Sequence, residues 1–143
     1  LPMGVINAVG GKPVFSGISG EKWLLEYACE DDILGLKPDF VSLSRTEGRG
    51  LIVTSRADQS DVDFVSRYFA PWVGINEDPV TGSAYTILGP YWGAKLGKTE
   101  MKARQVSARG GQLRVWLAGA WVLISGQAVT VFKGELIDRS QKD

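Results

Sequence analysis

The chain has no histidine, a single cysteine and no excess of charge of either sign in its 143 residues. Without histidine, Ser–His–Asp and Cys–His nucleophile pairs, imidazole-ligated zinc and an imidazole base are all excluded. Cys29, being alone, forms no internal disulfide and no cysteine metal cluster, so no metal site is expected. Any proton chemistry falls to carboxylates, lysine, tyrosine, the thiol or water. Lys and Arg number 16, as do Asp and Glu. Nothing therefore draws the chain to a polyphosphate or an anionic bilayer, and neither nucleic acid nor membrane is expected as a partner. The longest uncharged run, Val115 to Phe132, is broken by Gly119, Ser125, Gly126 and Gln127. It reads as short strands, too interrupted for a membrane span. The first fifteen residues lack the basic start and apolar core of a secretory leader. A reducing, cytoplasmic setting is the expectation.

What remains is an ordinary globular composition, 44% apolar and 22% charged, of a length suited to one domain. Residues 1–21 are rich in Gly, Pro and Ser and read as a linker or irregular segment. Residues 22–143 read as a single domain. Within it, apolar residues recur at a period of two from Trp23 to Cys29, which predicts a strand, and Phe40–Leu43 and Gly50–Ser55 also read as strands. The period changes at Ala84. From there Ile87, Leu88, Tyr91, Trp92 and Leu96 fall at helical spacing, predicting a core helix that Pro90 should kink and Gly97 should end. A period of two then returns in short segments separated by glycines, as far as Glu135–Ile137. The fold class expected is α+β: a mostly antiparallel, curved sheet, a half barrel, wrapped around one central helix.

Just before that helix stands "EDPVTGSA", Glu77 to Ala84. Gly82 lets a ligand approach the main chain closely. The first turn of a helix leaves N–H groups without internal partners and carries roughly half a positive charge, so it suits a carboxylate. Asp78, just upstream, is placed to hold or pass a proton. The same pattern is also that of a plain N-cap, and spacing alone leaves both readings open. Arg67 is placed to pair with Glu77 or Asp78. Arg109-Gly110-Gly111 is either a turn or a contact at a cleft edge, and Cys29 reads as a small buried hydrophobe.

The stretch "DFVSRYFAPWVGINEDPVTGSAYTILGPYW", followed by "QVSARGGQLRV" and "SGQAVTVFKGEL", resembles the C-terminal half of PhzF-family proteins, the phenazine biosynthesis-like family. The resemblance implies a fold similar to diaminopimelate epimerase, in which two such domains face each other across a cleft with their helix N-termini toward the substrate. It also implies an isomerase that uses no cofactor and moves a proton by general acid/base catalysis. Asp78 and Ser83 take the catalytic positions of the family's DPxTGSA motif, and Gly82 offers backbone donors to a carboxylate. Thr81, Ala84, Tyr85 and Arg109 are the other expected substrate contacts. Tyr85 stands where the family commonly has histidine. The family's principal acid/base glutamate belongs to the N-terminal domain, outside this chain. The expected partners are a small carboxylate-bearing substrate and either a second copy of the chain, as a homodimer, or a separate sister domain. The alternative is a non-catalytic, stand-alone domain that binds small acids and homodimerises.

Overall fold

The computed structural model describes residues 2–137. Eight strands form one sheet: β1 Phe15–Ser19, β2 Lys22–Glu26, β3 Gly50–Arg56, β4 Phe64–Ala70, β5 Ile75–Asp78, β6 Glu100–Gln105, β7 Gly111–Ala118 and β8 Trp121–Gly126. Their spatial order is β1-β2-β3-β4-β6-β7-β8, with β5 paired to β4 outside that path. Helices α1 Met3–Val9, α2 Glu30–Leu34, α3 Phe40–Ser44 and α4 Tyr85–Leu96 complete the fold. Most pairings are antiparallel as expected, but β2–β3 and β4–β6 run parallel. A parallel pair needs a crossover, and these two crossovers place helices on opposite faces of the sheet. α2 and α3 lie between β2 and β3, whereas α4 lies between β4 and β6.

The alternation along the central strands follows from this arrangement. Ile52, Phe64 and Tyr68 point into one core with Leu88 and Trp92 of α4. Leu51, Val53, Val65 and Phe69 point into a second core with Val5, Val9, Ile33 and Leu43 of the short helices. Strands covered on both faces carry near-continuous apolar runs, and β3, "GLIVTSR", is buried at all but its last residue. The sheet is thus curved around α4, as expected, and also carries a second helical layer that the sequence reading lacked.

Four local expectations change. Residues 1–21 hold α1 and β1, and Val5, Ala8 and Val9 are buried, the i, i+3, i+4 face of a short helix. Phe40–Leu43 is helical, not a strand, because the Asp39 carboxylate accepts from the amides of Val41 and Ser42. The strand begun at Lys22 ends at Glu26, and Cys29 is the half-buried N-cap residue of α2 rather than a core strand residue. Val129–Phe132 and Glu135–Ile137 form no strand and expose Val129, Val131, Phe132 and Ile137. α4 continues through Pro90 to Gly97, which adopts the left-handed conformation suited to a helix stop.

Under α4 the core keeps a polar seam. Trp92 Nε1 donates to Thr54 Oγ1 at 3.0 Å, and Thr54 donates to the Val65 carbonyl at 2.6 Å. The Tyr85 hydroxyl lies 3.3 Å from Ser66 Oγ, and burial pushes its phenol up to about 12. Unfolded tyrosine ionises near 10, so above that pH the unfolded chain sheds a proton that the folded chain keeps. Stability is therefore present below about pH 10 and lost as pH rises toward 12, by about 1.4 kcal/mol per unit from this residue. Urea midpoints measured from pH 9 to 12 should fall, and Tyr85→Phe should flatten part of that fall.

Candidate functional site

The site is built at the junction of β5 and α4. β5 ends at Asp78, and a turn of 3₁₀ helix, Gly82–Ala84, leads into α4. The intervening loop is held from beneath by Gln105, the last residue of β6, whose side chain is fully buried. Its Oε1 accepts from the Thr81 amide at 2.9 Å, and its Nε2 donates to the Asp78 carbonyl at 2.7 Å and to Thr81 Oγ1 at 3.2 Å. Behind the loop runs "SARGG". Ser107 Oγ donates to the Pro79 carbonyl at 2.8 Å. Gly111 lies so close to Val80 that a Cβ there would stand 2.4 Å from a Val80 methyl. On the strand side, Arg67 makes two hydrogen bonds to Glu77, at 2.8 and 2.9 Å, and reaches the carbonyls of Ile33 and Leu36. Arg67 thus pairs with Glu77 and leaves Asp78 free of it.

Asp78 Oδ2 accepts from the Thr81 hydroxyl at 2.5 Å. The Ala84 amide is used internally, donating to the Thr81 carbonyl at 3.2 Å. Among the described residues, the amides of Gly82 and Ser83 have no protein acceptor. Of the three amides from Gly82 to Ala84, two are therefore left without a protein acceptor. Ser83 Oγ accepts from Lys22 Nζ at 2.9 Å, which sets an ammonium at the Ser83 side chain.

Asp78, Thr81 and Ser83 open onto one cleft of about 680 Å³, together with Lys22, Arg49 and Tyr68. Gly82, Ala84 and Tyr85 are not part of its lining: a Cβ on Gly82 would meet Ile124 of β8 at 3.3 Å, and Ala84 and Tyr85 are buried in the core under α4, where Tyr85 bonds to Ser66. Arg109 lies elsewhere, beside a separate depression with Val80 and Gly111, so its loop braces the site from outside. Lys22, Arg49, Tyr68 and Gln105 were missed from the sequence. Lys22 stands opposite Gly50 in the parallel β2–β3 register, and Tyr68 stands opposite Asp78 in the β4–β5 register. Long-range pairing converges these side chains, and no local spacing announces it. Lys22 and Arg49 offset Glu21 and Asp78, so the cleft carries localised charge without net charge. The Arg49–Glu21 approach is 4.0 Å and exposed and holds little energy.

Two further features bound the chemistry. Among the described residues no group of three or more metal-ligating side chains is gathered. No helix among them is long and apolar enough to cross a membrane.

A family model described as phenazine biosynthesis-like protein, PhzC-PhzF, matches residues 8–134. The chain is 45% identical over 136 residues to an uncharacterised isomerase of Halalkalibacterium halodurans, covering 95% of this chain and 51% of that protein. It is 46% identical over 130 residues to an uncharacterised isomerase of Pseudomonas aeruginosa, covering 91% of this chain and 49% of that one. Among solved structures, a PhzF-family phenazine biosynthesis protein of Enterococcus faecalis superposes with a TM-score of 0.86 at 40% identity. That match covers 96% of this chain and 52% of the other. The chain spans about half the length of the curated relatives it matches.

Proposed function

This chain belongs to the phenazine biosynthesis-like family, and from that premise we propose that it supplies one wall of an isomerase cleft, corresponding to the C-terminal half of such a protein. The observation that carries this reading is the partnerless Ser83 amide on the same cleft as the Lys22 ammonium and the Asp78 carboxylate, with the equally partnerless Gly82 amide next to it in the chain. A substrate carboxylate docks on the amides and the ammonium, where hydrogen bonds to a charged acceptor are strongest. Asp78, oriented by Thr81, takes a proton from a carbon next to the substrate's conjugated system. The released electron pair moves into that system, and the proton returns at a different carbon. The bond made and the bond broken are both C–H bonds, so no electrons leave the substrate and no cofactor enters the balance. Ser83 orients the carboxylate through its hydroxyl, which Lys22 holds in place.

The opposite wall comes from a second copy of the chain or from a separate sister domain. Exposed apolar side chains support this: Trp121 and Leu123 on the edge strand β8, and Val73 and Ile75 at the cleft rim. Large apolar side chains left exposed at i, i+2 positions, Trp121 with Leu123 and Val73 with Ile75, suit an association surface. At micromolar concentration, light scattering of the chain alone should give a dimer mass. A monomer would assign the second wall to a sister domain. The lone, half-buried Cys29 suits a reducing, cytoplasmic setting.

The direct test is solvent exchange. Trial unsaturated carboxylic acids are incubated with the protein in D₂O, and deuterium is read at carbon by NMR. Incorporation at carbons flanking the double bond is expected. Acids that shift the Gly82 and Ser83 amides without exchanging, in a chain that scatters as a dimer, would instead favour the non-catalytic acid-binding domain.

A further inference from the structure

The helix mouth accounts for one end of a bound acid and leaves the facing strand wall unexplained. That wall is formed by Tyr68 on β4, which lines the cleft and is only 8% exposed. The chain has four tyrosines, and three have their hydroxyls engaged. Tyr27 donates to the Gly10 carbonyl at 2.7 Å, Tyr91 donates to Glu26 Oε2 at 2.5 Å, and Tyr85 lies against Ser66. Of these four hydroxyls only that of Tyr68 has no partner among the described residues, and it is not sealed from solvent but lines the cleft, where a ligand can reach it. Space at its oxygen is kept by Gly50, where a Cβ would stand 2.1 Å from it. Lys22 Nζ lies 5.9 Å from the ring centroid, and Arg49, next to Gly50 in the chain, lines the same cleft. Burial, together with the charge of Asp78, pushes the phenol up against a smaller opposing effect of Arg49, so at neutral pH the hydroxyl is a donor.

We infer that Tyr68 is a specificity-determining residue of this cleft, donating a hydrogen bond to a second carboxylate, so that the site takes small dicarboxylates in preference to monocarboxylates. The first carboxylate occupies the helix mouth, and the inference rests on that reading. The second meets Tyr68 with Lys22 and Arg49 nearby to balance its charge. A phenylalanine in its place would keep the ring's packing and lose only the donor.

The experiment compares succinate with butyrate, which share a four-carbon chain and differ by one carboxylate. The ¹⁵N-labelled protein is titrated with each, following the Gly82 and Ser83 amides. Succinate is expected to bind about tenfold more tightly, as one hydrogen bond to a charged acceptor supplies. Tyr68→Phe should erase most of that difference and leave butyrate unchanged. Gly50→Ala, which intrudes on the hydroxyl and keeps the tyrosine, should do the same. A merely structural role for Tyr68 would leave the ratio of the two affinities intact. No preference in the unaltered protein, or a preference surviving in Tyr68→Phe, would overturn this inference and leave the helix-mouth reading in place. Amides silent to both acids would overturn the helix-mouth reading, and this inference with it.

Discussion

Asp78→Asn is expected to lower the rate of deuterium exchange by about 10²- to 10⁴-fold, the contribution of a positioned general acid/base. The substitution is nearly isosteric. The amide oxygen can still accept from Thr81 Oγ1, which reaches Asp78 Oδ2 at 2.5 Å, and Gln105 bonds to the main-chain carbonyl of residue 78, which does not change. The loop therefore keeps its shape while its side chain loses the capacity to take a proton. Binding at Gly82 and Ser83 should survive or strengthen, because a negative charge near the bound carboxylate has been removed. The signature is a fall in rate with an unchanged or lower apparent dissociation constant, read from the same NMR samples. If exchange proceeds at the original rate in Asp78→Asn, the proton is carried by another group and the assignment of Asp78 is wrong.

Gln105→Leu is expected to be the most damaging single substitution around the site. It replaces a fully buried amide that satisfies one donor and two acceptors of the loop. Leucine has similar bulk, so the loss is one of hydrogen bonding, not volume. The Thr81 N–H and the Asp78 carbonyl would then be left unpaired, and each buried group stranded in this way costs about 1–3 kcal/mol. We expect about 3 kcal/mol of destabilisation in urea titration, a large share of what a domain of this size commands. The Gly82 and Ser83 amide resonances should move or broaden even without ligand. Unaltered stability with sharp, unshifted amides would show that the loop holds its form through Ser107, Val80 and Arg67 alone.

The sequence carried the elements whose signal is local and long. Twelve-residue α4 announced itself by spacing from Ala84 to Leu96, and β7 and β8 by alternation around the Gly119 turn. Short elements were ambiguous. Five residues of α3 are too few for a period to establish itself, and Phe40, Val41 and Leu43 look as apolar as a strand. The decisive clue there was a single capping carboxylate, Asp39. At the site, the "DPVTGS" loop was legible because its chemistry is contiguous. Tyr85 is two positions beyond Ser83, so at about 100° per position it points to nearly the opposite side and into the core. Lys22, Arg49 and Tyr68 escaped notice for the opposite reason. Lys22 lies on β2, Tyr68 on β4 and Arg49 just before β3, and they meet only through pairing register. The resemblance to a known family supplied the roles expected of Asp78 and Ser83, and it could not supply residues outside its motif.

Gln105, Ser107 and Gly111 grip the Asp78–Ser83 loop from its rear. Among its cleft-facing neighbours, Thr86 adds a bond to the Ser83 carbonyl and Ile87 packs on the core, whereas Ser19 and Val73 carry none of that grip. Selection, natural or in the laboratory, is thereby free to redraw the cleft at those two positions without dismantling the frame, and a combinatorial library confined to them should yield mostly folded variants with an altered cleft.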